Sequence, residues 1–158
     1  MKPFVAELRL QHAPALLKFY SDLGDDVRKY FQPFREVNIS TFENHLRGVE
    51  KGKHLSLGLI ESKEIFGHCF ILDLYEQHPI LGLGVDQSIQ NSGHGKALLE
   101  GALARADRMS TSSITLTVVR ENERALHLYK SVGFVIKCLR TFRVENDSYL
   151  MERIHTEE

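Results

Sequence analysis

Residues 81–99 read LGLGVDQSIQNSGHGKALL, and this stretch decides the fold. Apolar residues alternate with glycines over 81–85, a polar loop spans 86–91, and Gly93 and Gly95 precede an amphipathic segment. This order predicts a strand, a loop and the start of a helix. The unpaired N–H groups and the dipole at a helix N-terminus attract phosphate groups. The stretch therefore predicts an anion-binding site at a strand-to-helix turn.

The composition is that of an ordinary globular protein. The chain has 158 residues, 42% hydrophobic and 26% charged, so we expect a single domain over residues 1–158 with one core. The net charge of -1 favours neither nucleic acid nor an anionic membrane surface as a partner. The sequence has neither a run near the ~20 apolar residues of a membrane span nor a signal-peptide core at its start. We therefore expect a cytoplasmic protein.

The residues before the glycine loop predict a strand, two helices and a hairpin. Apolar alternation over 4–10 predicts a first strand, and the runs 54–60 and 65–72 predict an antiparallel hairpin. Apolar residues at helical spacing over 16–23 predict a first helix. Thr41 is the expected N-cap of a second helix.

The residues after the glycine loop predict a helix, a strand, a second helix and two closing strands. The continuous β-branched run 114–119 predicts a strand buried on both faces. Asn122 is the expected N-cap of the last helix, which Gly133 ends. The runs 134–139 and 148–154 predict the closing strands, which offer an edge for a homodimer.

The cysteines and histidines predict neither a disulfide nor a metal site. Cys69 and Cys138 lie in apolar strand-like runs, so we expect two buried free thiols in a reducing compartment. The eight histidines include no i, i+4 pair and no neighbouring cysteine pair that would ligate zinc.

Two nucleotide-binding motifs are excluded by single residues of the loop. A Walker A motif needs a glycine where Gln90 stands and a hydroxyl residue where Ala97 stands. A dinucleotide fingerprint needs a third glycine where Leu98 stands, and it lies near the start of its βαβ unit, whereas several strands precede this loop.

The hexapeptide QNSGHG at residues 90–95 resembles the [RQ]-x-x-G-x-[GA] signature of the GNAT superfamily of N-acetyltransferases. In that family the loop binds the pyrophosphate of acetyl-CoA, and glycines without a Cβ let the backbone approach it closely. The preceding strand of the family pairs its exposed backbone with the pantetheine arm. The resemblance implies that acetyl-CoA binds to Leu83, Val85, Gln90, Asn91, Ser92, Gly93, His94, Gly95, Lys96 and Asn122.

A second segment resembles the same family. Residues 122–134, NERALHLYKSVGF, match the family pattern N-x-x-A-x-x-L-Y-x-x-x-G-F at every fixed position. The resemblance implies that Asn122 contacts the pantetheine amide region and that Tyr129 protonates the leaving thiolate. A phenol with a pKa near 10 suits a thiolate with a pKa near 8.5 only within hydrogen-bond reach.

The resemblance implies an α/β fold with a mixed, mostly antiparallel central sheet of six to seven strands and helices on both faces. The cofactor would lie in a V between the strand at 81–85 and the strand at 114–119. The implied activity is direct acetyl transfer from acetyl-CoA to a primary amine, without a metal.

Direct transfer requires a base, or a water chain to one, because the amine must lose a proton before it attacks. Glu76 and His78 precede the cofactor strand and are the first candidates, and Asp86 is a weaker one. Tyr30, Phe31 and Phe34 are candidates for the lining of an acceptor pocket.

Two other functions remain open at this point. One is a non-catalytic acyl-CoA-binding or sensing module of the same fold, and the other is a nucleotide-binding protein that uses the same loop. The acceptor is also open among small amines, amino sugars, antibiotics and protein amines.

Overall fold

The computed structural model describes residues 2–90, 92–109, 111, 113–141 and 147–154. The strands are β1 (Phe4–Glu7), β2 (Leu55–Glu61), β3 (Glu64–Leu72), β4 (Ile80–Val85), β5 (Ser113–Val119), β6 (Val135–Arg140) and β7 (Ser148–Ile154). The helices are α1 (Ala13–Asp22), the one-turn α2 (Asp25–Arg28), α3 (Ile39–Glu50), α4 (His94–Arg108) and α5 (Glu123–Ser131). The strands form one sheet in the order β1-β2-β3-β4-β5-β7-β6, with helices on both faces, which confirms the predicted fold class.

β4 and β5 are parallel neighbours in this otherwise antiparallel sheet, and they diverge. Their ladder holds one pair of facing residues, Ile80 and Thr115. Beside it, the carbonyl oxygen of Pro79 accepts hydrogen bonds from the Thr115 N–H at 2.8 Å and from the Thr115 hydroxyl at 3.2 Å. After this point β4 stays paired with β3 alone, so a wedge-shaped space, here called the β4–β5 gap, opens along it.

Buried side chains form two clusters, because successive strand residues point to opposite faces. The first face carries Leu57 of β2 and Cys69 of β3, and α4 covers it. The second face carries Ile60 of β2, and α1 and α3 cover it. The predicted apolar side of the helix after the glycine loop is confirmed by the buried residues Leu99, Ala102, Leu103 and Ala106.

A β-bulge in β3 adjusts which side chains face each cluster. Leu59 faces Gly67 while Ile60 faces Ile65, so Phe66 is the extra residue. Phe66 packs against the first cluster, and its carbonyl accepts the Asp86 N–H at 2.8 Å.

Several predicted boundaries need correction. The first strand ends at Glu7 rather than at residue 10, because a 3-10 turn begins at Leu10. The N-cap of α3 is Asn38 rather than Thr41, because the extended Asn38 backbone directs its side-chain oxygen to the Thr41 N–H at 2.9 Å.

Two burial predictions are also wrong, because both concern strands with a side that other elements leave uncovered. The run 114–119 alternates between buried and more exposed positions, since one side of β5 packs into the first cluster and Thr117 on the other is exposed. Cys138 is an exposed free thiol on the edge strand β6, whereas Cys69 is buried as predicted. β7 lies inside the sheet, so β6 alone of the two closing strands offers an edge.

The caps of α5 match the prediction. The Asn122 side chain accepts the Ala125 N–H, and Gly133 follows the helix with φ +103°, which favours glycine. In the described ranges, no helix combines the length and the apolar character of a membrane span.

Candidate active site

One edge of β4 presents backbone groups to the β4–β5 gap. The N–H of Asp86 donates to Phe66 on β3, whereas the carbonyl of Val85 accepts from the Gln90 side chain at 3.3 Å. Backbone groups of successive strand residues point to opposite sides, so those of Leu83 point into the gap as those of Val85 do. The side chains of Leu83 and Val85 pack against the first cluster, so these residues present their backbone groups to the gap.

The mouth of the gap is a helix N-terminus with free donors. Gly93 precedes α4 with φ +83°, and the Ala97 N–H donates to its carbonyl at 3.1 Å. The N–H groups of His94, Gly95 and Lys96 have no acceptor in the part of the chain that the structure describes. Together with the helix dipole, these three donors are suited to an anion.

The two loop glycines differ in backbone conformation and in what a Cβ would contact. At Gly93 the left-handed backbone disfavours any other residue, although a Cβ would meet no atom within 4 Å. At Gly95 a Cβ would lie 3.4 Å from Val85 Cγ2, which is an ordinary contact. The protein's own packing therefore leaves space at the loop for a ligand. Asn91, also predicted to bind here, lies outside the described residues.

The side chains of the loop are engaged locally. The Ser92 hydroxyl donates to the Ile89 carbonyl and contacts His94 Nδ1. Lys96 Nζ lies 3.8 Å from Glu100 on the surface of α4. The loop therefore offers backbone donors first, with the exposed Lys96 charge beside them.

A bridge that the sequence did not indicate joins the two sides of the mouth. Gln90 Nε2 donates to Val85 at the end of β4, and Gln90 Oε1 accepts from Arg124 Nη1 of α5 at 3.2 Å. Gln90 thus connects the strand to the helix across the gap. Arg124 occupies a variable position of the family pattern, so no sequence signal distinguished it from other exposed arginines.

Asn122 and Tyr129 are supplied by the cap and the last turn of α5. Asn122 uses its side-chain oxygen at 3.3 Å to cap Ala125, and its amide group makes no other hydrogen bond to the described residues. The amide N–H groups are therefore available to an acceptor outside the chain.

Tyr129 is buried, but its hydroxyl is not sealed. The side chain is 7% exposed and packs edge-on to Phe134, with ring centroids 5.8 Å apart. Its hydroxyl makes no hydrogen bond within the described residues. In those residues no fully buried polar side-chain atom lacks a partner, so the Tyr129 oxygen is accessible from outside the core. Burial, with a smaller contribution from Cys69, raises the pKa of the phenol above its usual value, so Tyr129 keeps its proton at neutral pH.

The candidate bases lie at opposite ends of β4. Glu76 and His78 are exposed in the connection before β4, at the closed end of the gap. Asp86 lies at the open end, where its carboxylate caps a 3-10 turn by accepting the Ser88 N–H at 2.9 Å. The structure therefore separates Asp86 from the other two, and none of the three is hydrogen-bonded to Tyr129 in the described ranges.

A cavity of about 400 Å³ lies on the second face beside β4. The ring of Phe31 rests on the β4 backbone so closely that a Cβ on Gly84 would lie 2.0 Å from its Cε2 atom. Phe31 and Phe34 both line the cavity. Tyr30 does not line it; the ammonium group of Lys29 lies 5.1 Å from its ring centre instead.

A buried hydrogen-bond chain supports the wall of this cavity. The Tyr20 hydroxyl contacts His68 Nδ1 at 2.7 Å, Ser56 Oγ contacts His68 Nε2 at 2.7 Å, and His45 Nε2 contacts Ser56 Oγ at 3.0 Å. Burial, and then His54, lowers the pKa of His45 to about 4, and burial lowers that of His68 well below its usual value. Both histidines are therefore neutral at pH 7, and the chain is satisfied without a charge.

Comparison with known proteins identifies one family. The model of the acetyltransferase (GNAT) family matches residues 17–134. The chain is 35% identical over 54 residues to a mycothiol acetyltransferase of Propionibacterium freudenreichii. That match covers 34% of this chain and 17% of the relative, so the chain spans a small part of that protein.

Solved structures share the fold at low sequence identity. A GNAT acetyltransferase from Streptococcus pneumoniae superposes with a TM-score of 0.78 at 21% identity, covering 96% of this chain and 98% of that one. The ribosomal-protein-S5-alanine acetyltransferase of Vibrio fischeri gives 0.83 at 12% identity, covering 98% and 93%. A putative acetyltransferase from Salmonella typhimurium, solved with acetyl-CoA, gives 0.81 at 14% identity, covering 100% and 96%.

Proposed function

Because the chain belongs to the GNAT acetyltransferase family, we propose that it is an N-acetyltransferase that moves an acetyl group from acetyl-CoA directly to a primary amine. One observation carries the proposal: a gap between diverging parallel strands has anion donors at its mouth, and Tyr129 of the first cluster keeps a protonated hydroxyl with no partner among the described residues. We further propose one catalytic domain over residues 1–158 and a cytoplasmic location, which the free thiol of Cys138 supports.

The donor set of the gap fits an acyl-CoA. The N–H groups of His94, Gly95 and Lys96 suit a diphosphate. Besides the Lys96 ammonium group, the exposed guanidinium group of Arg124 adds a positive charge near the mouth. The β4 edge at Leu83 and Val85 suits the amides of an extended arm, as an added strand would. Bound there, acetyl-CoA supplies a thioester, whose acyl carbon is open to attack by an amine.

Tyr129 acts in this proposal as the general acid. Its raised pKa keeps the proton on the phenol until a stronger base forms next to it. A thiolate leaving into the same low-dielectric surroundings is destabilised for the same reason, so the proton passes from the Tyr129 oxygen to sulfur as the carbon–sulfur bond breaks.

Glu76 acts as the base that takes the ammonium proton, directly or through water and His78. Its position before β4 places it at the closed end of the gap, away from the mouth where the diphosphate binds. We expect Glu76→Gln to lower kcat by about 10²- to 10⁴-fold, because an amide cannot take the proton. An unchanged kcat would contradict the assignment of Glu76.

The experiment that tests the proposed function measures CoA thiol release with a panel of primary amines, together with the mass of the product. We expect amine-dependent release and a product heavier by one acetyl group. If acetyl-CoA binds tightly but no amine releases thiol, the chain is a non-catalytic acyl-CoA module. If ATP raises the melting temperature and CoA does not, the loop serves a nucleotide instead, since a ligand at ~100 Kd stabilises by ~2.7 kcal/mol.

A homodimer is a further prediction. The edge strand β6 is exposed along its whole length, and its apolar residues include Val135 and Leu139. Pairing of two β6 strands would cover these backbone and side-chain groups, and the mass in solution tests it.

A further inference from the structure

The cavity on the second face combines cationic and aromatic walls. Its lining includes Arg28, Arg35, Phe31 and Phe34, and none of the described residues that line it is an aspartate or a glutamate. The acidic residues of the neighbouring helix α2, Asp25 and Asp26, are not among the lining residues. The cavity therefore carries a positive charge that its own walls do not neutralise.

The guanidinium groups of Arg28 and Arg35 have N–H donors without a partner among the described residues. Arg28 Nη2 donates to the Ser21 carbonyl at 2.8 Å, which fixes one arm of a half-buried side chain. Arg35 makes no hydrogen bond or ion pair within the described residues. Neither has a carboxylate partner in that part of the chain. A guanidinium presents five donors in a planar fork that matches a carboxylate.

The aromatic wall packs against other rings and touches the β4 strand. Phe34 packs against the stacked pair Tyr20 and Phe42 and against His68, with ring centroids 5.2 to 6.4 Å apart. Phe31 lies on the backbone of Gly84. The Phe31 ring therefore contacts both the cavity and the strand that faces the β4–β5 gap, and a volume of about 400 Å³ fits a small molecule.

Resting on the proposed function, we propose that the acceptor is a small primary amine that also carries a carboxylate and an apolar or aromatic group, as a free aromatic amino acid does. Arg28 and Arg35 bind the carboxylate, Phe31 and Phe34 contact the apolar group, and the amine lies toward β4. Glu76 first takes one proton of the ammonium group, and the neutral nitrogen then bonds to the acyl carbon as the carbon–sulfur bond breaks. The sulfur takes the proton of Tyr129, and the second proton of the nitrogen returns through water to the Tyr129 oxygen. Polyamines are poor acceptors, because their charges would face two arginines and, among the described lining residues, no carboxylate.

The test compares amines that differ in one group. Phenylalanine, phenylalaninamide, phenethylamine and spermidine are assayed for thiol release, and phenylalanine should exceed each of the others by about tenfold or more in kcat/KM. An equal or higher value for the amide, for phenethylamine or for spermidine would overturn the proposed acceptor class while leaving acetyl transfer intact.

Variants separate the acceptor from the phosphates of CoA. Arg35→Gln should raise KM for phenylalanine about tenfold, leave KM for acetyl-CoA unchanged, and abolish the preference for phenylalanine over its amide. Arg47→Gln, an exposed arginine of α3 outside the cavity, is the control and should change none of these values. A rise of KM for acetyl-CoA alone would assign the arginines to CoA instead.

A binding measurement keeps the proposal testable without turnover. Calorimetry on the protein saturated with CoA should detect phenylalanine binding that Arg35→Gln weakens and Arg47→Gln does not. Absence of phenylalanine binding to the wild-type protein would overturn the inference. Absence of thiol release with every amine, in spite of that binding, would overturn the proposed function and not the binding site.

Discussion

The mouth of the β4–β5 gap and the cavity on the second face offer a ligand different kinds of groups. At the mouth, three backbone N–H groups of α4 provide the donors, and the side chains of Ser92, His94 and Lys96 have local partners. In the cavity, arginine and phenylalanine side chains line the space, and a buried chain from Tyr20 to His45 supports one wall. A backbone site depends on the local conformation of a few consecutive residues, whereas a side-chain site depends on which elements meet.

The largest effect is expected at Tyr129, the proposed general acid in the first cluster. Tyr129→Phe should lower kcat by about 10²- to 10⁴-fold, because it removes the proposed proton donor. The affinity for CoA should not change, since the packing of the ring against Phe134 remains. Steady-state kinetics and calorimetry give the two values.

Tyr75→Phe is the matched control for this variant, because Tyr75 is 77% exposed and lies outside the gap. It should keep the wild-type kcat. A Tyr129→Phe enzyme with full turnover would show that the hydroxyl is not the acid.

The buried chain from Tyr20 to His45, behind the cavity, should determine how the stability of the protein changes in acid. His45 and His68 stay neutral in the folded state, with a pKa for His45 of about 4, whereas unfolded histidine titrates near 6.5. The unfolded state therefore binds more protons between these values, so the free energy of unfolding falls as the pH falls from about 6.5 to about 4. The contribution of His45 is up to about 3 kcal/mol. Urea titrations at several pH values measure it.

His45→Gln should reduce this dependence on pH, and the exposed His127→Gln serves as the substitution control. An equally steep fall in the His45→Gln variant would contradict the buried neutral state.

The backbone donors at the mouth of the β4–β5 gap are tested by comparing two glycines that share a left-handed conformation. Gly93→Ala should raise KM for acetyl-CoA about five- to tenfold, because about 1 kcal/mol of left-handed strain moves the first turn of α4. Gly52 has φ +77° and, like Gly93, no atom within 4 Å of a Cβ. Gly52→Ala should therefore lose similar stability and keep the wild-type KM. Equal effects on KM would mean that strain alone, and not the loop donors, explains the result.

The smallest effect is expected at the bridge across the mouth. Arg124→Ala should raise KM for acetyl-CoA about two- to fivefold, as exposed charge pairs contribute about 0.3–1 kcal/mol, and added salt should reduce the difference. Lys130→Ala, an exposed cation on the same helix, is the control. An effect that does not depend on salt would point to the Gln90 bridge rather than to the charge.

The same contrast explains what the sequence could predict. Gly93, Asn122 and Gly133 have conformations set by their neighbours in the chain, so the loop, the cap and the end of α5 were predicted correctly. The fold class followed from the order of such segments and from the family resemblance.

The second face could not be predicted in the same way. Tyr20 and His68 are 48 residues apart, and His68 and Ser56 are 12 apart on neighbouring strands. No local pattern marks such a chain, since each residue has an unremarkable environment in sequence. Arg28 and Arg35 likewise share a cavity because of tertiary contacts such as that of Phe31 with Gly84. The same dependence on tertiary contacts explains why Cys138 was expected to be buried.

Backbone groups of one strand edge and one helix N-terminus are proposed to bind the acyl-CoA. The most direct test is a ¹⁵N amide titration with CoA, which needs neither turnover nor a known acceptor. We expect the largest shifts at His94, Gly95 and Lys96, with smaller ones at Leu83 and Val85, and no comparable shifts with ATP. Shifts confined to other amides, with these five unchanged at saturation, would contradict the account.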